Sequence, residues 1–344
     1  MKKALSIILV FLMLLTALPF AASAEGEIHD GIWTYYVNDY DKNAWIVDCD
    51  SNVSGEVTIP AELNGYQVNL YSEVFFKCPN IKSFKVENGQ KNLASIDGVL
   101  YRINTDENYE TGEKVTYLSL LAYPQAKTDK NYDVPTGVAY VDFYTPNQYI
   151  ETITLSDTVE NFSEYYYYYE DEIDSPKLPS LKSISVNSGN EYLYSIDGVL
   201  FDKEIYTDDN GDETVVNILE KYPCQKSNSS YTVPDGVGII GSRAFSFCSN
   251  LTEITIPDSV NEINYGAFCG CLNLSKLSFP YGFTSITASM IQDTALYNDP
   301  KNWEDGMLYI NNCLVGVDFD KIGENVTVKD GTISVSSSTF YGCS

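Results

Sequence analysis

Two cysteines one residue apart, Cys269 and Cys271, stand in a chain that has only eight. A pair so spaced could carry redox chemistry or hold a metal. A disulfide inside Cys269-Gly270-Cys271 would close a very tight ring, and a turn at Gly270 would point the two side chains apart. Position along the chain supports a different reading. Cys271 falls three residues after Phe268, as Cys248 does after Phe245, Cys78 after Phe75 and Cys343 after Phe340. A small apolar thiol recurring at one phase is a packing choice, because a free cysteine behaves as a compact hydrophobe. Cys269 has no such counterpart, since Ser246, Phe76 and Tyr341 fill its phase elsewhere. It could pair with Cys49, Cys224 or Cys313, which also lie off the phase, but no spacing selects a partner.

Other residues that could do chemistry form no catalytic set. The single histidine, His29, precludes histidine-based triads and metal clusters that need several such ligands. The 48 acidic residues allow many carboxylate pairs of the kind glycosidases use. They fall mostly at turns and variable positions, as Glu253, Asp258 and Glu262 do, and read as solvated surface. In Asp208–Glu213, "DDNGDE", the sixth and twelfth positions of a calcium loop would be Glu213 and Leu219, where glycine and a carboxylate are needed. A hairpin turn at Asn210-Gly211 accounts for the segment better, with weak calcium binding by the turn left open. No catalytic residue, cofactor or metal ligand is assigned, and the chain is expected not to be an enzyme. The remaining candidate is the run Tyr165, Tyr166, Tyr167, Tyr168 and Tyr169. Consecutive tyrosines cannot all face one core, and their large rigid rings with a polar end suit a binding patch for a protein or for sugar rings. The alternative is that two or three cover a neighbouring repeat and the rest are merely exposed.

These residues sit on a repeat. Leu251, Ile254, Ile256, Pro257 and Ile263 recur 23 residues later as Leu274, Leu277, Phe279, Pro280 and Ile286. The L-x-x-I-x-I core reads as a short strand with alternating buried side chains, closed by a proline that cannot donate to a further ladder. The segment Ser259 to Phe268 has helix-compatible spacing over about two turns. Neither element buries its apolar face alone, so units must stack with strands paired in parallel. Degenerate copies begin at Ile81, Ile150 and Leu181, and Val57-Thr58-Ile59-Pro60 ends another. Asn250 and Asn273 recur at the bend into the strand, where an amide can satisfy backbone groups. A larger block is duplicated too: "LASIDGVLY" (93–101) returns as "LYSIDGVLF" (193–201), and each copy carries a β-hairpin insertion, near 101–135 and 201–234. A period of 20–29 with this pattern is the leucine-rich repeat signature. The expected fold is therefore a repeat solenoid, α/β to mostly β.

Residues 1–24, with a basic start, an apolar run and Ala22-Ser23-Ala24, read as a secretory signal peptide. The repeat domain then spans 25–344, with an N-terminal repeat region over 31–80 and the hairpin-bearing repeats over 81–344. Its end after Phe340-x-x-Cys343 lacks a polar cap, as a truncated chain would. A net charge of −27 would repel phosphate backbones and anionic membranes, so nucleic-acid binding is excluded, and no membrane insertion of the mature chain is expected.

The pattern "AFxxCxxL…IxIPxxVxxI", with "SIDGVLY", "YPxxK…YxVPxGV" and the opening "GIWTYYVNDYDKNAWIVDCDSNVSGEVTIPAELNGYQV", resembles the BspA-type leucine-rich repeats of bacterial secreted and surface proteins. The resemblance covers about residues 31–344. It implies adhesion or protein binding in an extracellular setting, and no shared catalytic site. The leading expectation is a secreted or cell-surface, non-enzymatic recognition module for an extracellular protein or glycan. The alternative is the non-catalytic targeting region of a larger polysaccharide-degrading enzyme or assembly, with a catalytic or dockerin-like module beyond Ser344.

Overall fold

The computed structural model describes residues 26–107, 112–164, 175–207, 211, 213–280, 282–323, 325–336 and 339–340. They divide into two units, one of Met1–Pro179, Val186–Leu193 and Tyr206–Glu213, the other of Ser180–Ser185, Tyr194–Ile205 and Thr214–Ser344.

Alternating aromatic and polar residues open the first unit. Strands β1 (Ile28–Asp30), β2 (Trp33–Asn38) and β3 (Asn43–Cys49) form an antiparallel meander. Their alternation buries Trp33, Tyr35, Ala44 and Ile46 and turns Tyr36 and Trp45 outward. After β4 (Ser54–Ile59) and its closing Pro60, β5 (Glu62–Leu63) and β6 (Tyr66–Leu70) make a small hairpin. β6 lies parallel to β3, and β7 (Asn80–Val86) lies parallel to β4. Each circuit of the chain thus contributes strands to two sheets, which is the rung of a β-solenoid.

The first duplicated block inserts into this scheme. β8 (Leu93–Ile96), β9 (Val99–Glu107) and β10 (Lys114–Ala122) pair antiparallel, the first two through an Asp97-Gly98 turn with φ of 51° and 77°. β11 (Asn131–Asp133) pairs in parallel with β13 (Thr152–Leu155), while β12 (Val138–Phe143) pairs in parallel with β10 and with β14 (Asn161–Glu164).

The second unit repeats the plan. β15 (Ser183–Val186) precedes the antiparallel strands β16 (Leu193–Ile196), β17 (Val199–Thr207) and β18 (Glu213–Lys221). From there the 23-residue period is a hydrogen-bonding register. In β19 (Ser230–Thr232), β21 (Glu253–Thr255) and β23 (Lys276–Ser278), Tyr231 faces Ile254 and Ile254 faces Leu277. The other side of each rung is β20 (Val237–Ile240) and β22 (Glu262–Ile263), again parallel. Two single-turn helices follow, α1 (Ala288–Ile291) and α2 (Ala295–Asn298), then β24 (Trp303–Glu304), β25 (Met307–Ile310), β26 (Cys313–Val317) and β27 (Ser334–Val335).

The helical expectation for Ser259 to Phe268 is corrected. Val260 and Ile263 both point inward, but because Ile263 pairs with Ile240 in a sheet, not because the segment coils. The chain then turns through Gly266 at φ +64°, a conformation that breaks a right-handed helix. Short strands and turns replace helix on this side, and the solenoid is mostly β.

Each unit has an aromatic ladder for its core. In the first, Tyr123 meets Tyr132 at 4.9 Å and Phe143 meets Phe162 at 6.1 Å between ring centroids. In the second, Tyr222 meets Tyr231 at 4.9 Å and Phe245 meets Phe268 at 5.4 Å. All are buried except Tyr231, which is half-buried, and each full burial is worth roughly 1.5–3 kcal/mol. The repeat positions Phe75, Cys78, Cys248, Leu251, Ile254, Ile256, Cys271 and Leu274 are buried with them, whereas Leu277, Phe279 and Phe340 are half-buried and Cys343 lies outside the described residues.

Candidate recognition surface

The tyrosine run Tyr165 to Tyr169 lies outside the described residues, as do Met1 to Ala24 and, in the acidic turn, Asp208, Asp209, Asn210 and Asp212. Among the described residues no group of three or more His, Cys, Asp or Glu is placed to hold a metal ion. His29 is exposed, with Nδ1 2.9 Å from Thr34 Oγ1.

The seven described cysteines are buried free thiols. Their hydrogen bonds explain the ladder. The Cys271 thiol donates to the Phe245 carbonyl at 2.9 Å, Cys248 to the Tyr222 carbonyl at 3.6 Å and Cys78 to the Cys49 carbonyl at 3.7 Å. Each thiol ties its rung to the one before it. Burial raises the Cys248 thiol well above its ordinary range, and burial pushes Cys269 up to about 11 against the opposing pull of Arg243. These two thiols are protonated at neutral pH and are poor nucleophiles.

Asparagines serve the same stapling purpose. Asn250 and Asn273 donate to the Lys226 and Ser249 carbonyls of the preceding rung at 3.1 and 2.8 Å. Asn147 is fully buried; its Nδ2 donates to the Pro124 and Lys127 carbonyls, both at 2.9 Å, and its Oδ1 accepts from Tyr149 and Ile150 N–H. These polar repeat residues are structural.

What the rungs leave facing outward is different in kind. Across the meander Tyr36 and Trp45 are direct cross-strand partners, and Trp45 is opposite Asn69 on β6. Tyr71, just past β6, stacks on Trp45 with centroids 5.0 Å apart and planes 27° from parallel. The Tyr36 and Tyr71 hydroxyls meet at 2.9 Å, and Trp45 Nε1 donates to Asp41 Oδ2 at 3.4 Å. Tyr36 is raised above the ordinary phenol range by partial burial and then by the Tyr71 hydroxyl, so its ring carries a neutral, hydrogen-bonding end. The half-buried Arg102 side chain donates to the Leu70 carbonyl at 2.7 Å and props the end of β6. Tyr71 is 42% exposed and Tyr40, beyond the end of β2, is 97% exposed. The result is a pre-ordered aromatic patch on a rigid sheet, the kind of surface that favours recognition. The sequence signal for it is the alternation of "WTYYV" against "NAWIV", which places one aromatic of each strand on the outer face.

No curated protein matches the chain. It is similar in structure to a leucine rich cell surface protein from Faecalibacterium prausnitzii A2-165, at 22% identity over 76% of this chain and 78% of that one, with a TM-score of 0.38. It is also similar to the pneumococcal vaccine antigen PcpA, at 15% identity over 79% and 74% of the two chains, TM-score 0.41. A leucine-rich repeat protein from Eubacterium ventriosum ATCC 27560 matches at 17% identity over 74% and 72%, TM-score 0.37. Residues 217–302 match the family model described as BspA type leucine rich repeat region (6 copies). The 23-residue register, Cys248 and Cys271 of the cysteine ladder and the parallel strands β19, β21 and β23 all fall in that segment, so residues 217–302 are similar to the BspA-type leucine-rich repeats in both sequence and register.

Proposed function

We propose that the chain is a secreted or cell-surface recognition module that binds an extracellular protein or glycan without catalysing a reaction on it. The observation that carries this reading is the outward stack of Trp45 and Tyr71, 5.0 Å apart and joined to Tyr36 through its hydroxyl. Aromatic rings held in place by a sheet lose little entropy on binding, and interfaces concentrate their energy in Trp and Tyr. The extracellular setting is supported by the signal-peptide pattern of residues 1–24. In the described residues no helix is long and apolar enough to cross a membrane.

The test is to screen the chain against extracellular proteins and a glycan array, then to compare its affinity for any ligand found with that of Tyr71→Ser. A fall of about tenfold or more supports the aromatic patch as the contact surface.

A further inference from the structure

The aromatic patch stands in a one-signed stretch of chain. Residues 26–76, which hold β1 to β6 and the Trp45–Tyr71 stack, carry nine acidic residues and a single basic one, Lys42. Over residues 77–344 the numbers are 38 and 18, so the general acidity of the chain does not account for the excess here.

Strand register puts part of that charge on the same face as the rings. Residues opposite one another on neighbouring strands share a face, and Thr34, two positions along β2 from Tyr36, is opposite the exposed Asp48. Next to the indole, Asp41 Oδ2 accepts from Trp45 Nε1 at 3.4 Å and Oδ1 accepts from the Asn43 N–H at 3.1 Å, which fixes a carboxylate at the ring edge. The basic groups of the region are already engaged. Lys42 Nζ lies 3.1 Å from Asp39, the half-buried Arg102 guanidinium donates to the Leu70 carbonyl, and the His29 ring is bonded to the Thr34 hydroxyl.

Rings and charge select the same ligand chemistry. The face of an aromatic ring is the negative end of its quadrupole and attracts a cation laid over it. A guanidinium suits such a face best, because it is planar, stacks on rings and pairs with carboxylates at their edge. A neutral sugar would gain from the rings and nothing from the charge, and an anionic polymer would be repelled. The two rings lie within 27° of parallel, and the sheet holds them, so a docking side chain meets a platform that needs little ordering.

We propose that the outer face of the β2–β3–β6 sheet docks an arginine-rich segment of a partner protein, with one guanidinium stacked on Tyr71 beside Trp45 and with Asp41 and Asp48 receiving its neighbours. The inference rests on the recognition reading above and narrows the ligand from a protein or glycan to a basic protein segment.

The experiment titrates short fluorescein-labelled Gly-Ser peptides, carrying spaced arginines, lysines or glutamates, with the full chain in about 150 mM salt, which screens long-range attraction between exposed charges. Fluorescence anisotropy gives the affinities. The arginine peptide should bind about threefold or more tighter than the lysine peptide, and the glutamate peptide should not bind. Tyr71→Ser should weaken the arginine peptide about fivefold or more, and Asp48→Asn, which leaves the stack untouched, about twofold. The double variant Asp258→Asn with Glu262→Gln neutralises two exposed carboxylates of the second unit and should leave the affinity unchanged. Equal binding of the arginine and lysine peptides, weakened as much by that double variant as by Asp48→Asn, would show that the peptides read net charge alone and would overturn the proposal. So would arginine-peptide binding indifferent to Tyr71→Ser, or no binding at all. A glycan or acidic protein found in the screen and lost on Tyr71→Ser, in a chain that ignores the arginine peptide, would sink this inference and leave the recognition reading standing. A chain in which neither the screened ligand nor the arginine peptide responds to Tyr71→Ser would lose both.

Discussion

The Cys271 thiol lies 2.9 Å from the Phe245 carbonyl oxygen, a bond from one rung of the solenoid back to the rung before it. Phe245 and Cys271 are therefore partners across rungs, and Cys271 serves both through its small apolar volume and through its weak donor. Cys271→Ala should lower stability by about 1–3 kcal/mol in urea denaturation, from the lost sulfur volume and the lost thiol hydrogen bond, although the Phe245 carbonyl keeps the Cys248 N–H at 3.2 Å. A thiol-specific reagent should label none of the seven described cysteines in the native protein at neutral pH and all of them in denaturant. Rapid native labelling of Cys269 would contradict its burial.

Gly98 and Gly198 stand at equivalent turns, with φ of 77° and 78°. A Cβ on Gly98 would lie 2.8 Å from Ser83 Cβ, and one on Gly198 would collide with Ser183 Oγ. Gly98→Ala and Gly198→Ala should each cost about 2 kcal/mol or more, the sum of left-handed backbone strain and steric overlap. Gly137 also has positive φ, at 93°, but a Cβ added there would meet no atom within 4 Å, so Gly137→Ala should cost only about 1 kcal/mol. Thermal melts of the three variants give the ranking, and equal costs would contradict the close approach of the turns.

Glu220 occupies the place that Leu121 holds in the first block. Burial, and next the charges of Asp202 and Glu204 against the opposing Lys221, push its carboxyl up to about 7 from an ordinary 4.5. The folded state thus holds this proton more tightly than the unfolded chain. Its contribution is fully present below about pH 4.5 and is lost as pH rises through 7. Glu220→Gln should flatten that fall, and at pH 8 should be more stable than the parent by up to a few kcal/mol. Denaturant midpoints at pH 5 and pH 8 for both proteins measure it. A parent chain whose Glu220 contributes no such slope would show the carboxylate to be solvated.

The sequence made the rungs legible because side chains that must be buried recur at the spacing of the strands they stack: Leu251 with Leu274, Ile254 with Leu277, Cys248 with Cys271. It misled over Ser259 to Phe268, where Val260 and Ile263 fit a helical spacing as well as they fit two inward positions on a bent β segment. Periodicity alone does not separate the two in so short a stretch. The Asp97-Gly98 and Asp197-Gly198 turns carry hairpin signals flanked by apolar residues, but the longer polar segments that follow them carry stronger-looking ones and masked them. The Trp45–Tyr71 stack was out of reach for another reason: those residues are far apart in sequence, and only the parallel pairing of β3 with β6 brings them together.

The most direct measurement is the affinity of the chain for a ligand found in the screen of extracellular proteins and glycans, compared by surface plasmon resonance between the parent, Tyr71→Ser and Tyr36→Phe. Tyr71→Ser removes the exposed ring of the stack, and Tyr36→Phe removes only the hydroxyl that orients it. If the patch is the contact surface, Tyr71→Ser weakens binding about tenfold or more and Tyr36→Phe weakens it less, with both proteins melting near the parent. Affinities for that ligand unchanged in both variants would contradict the patch as the surface through which this protein binds.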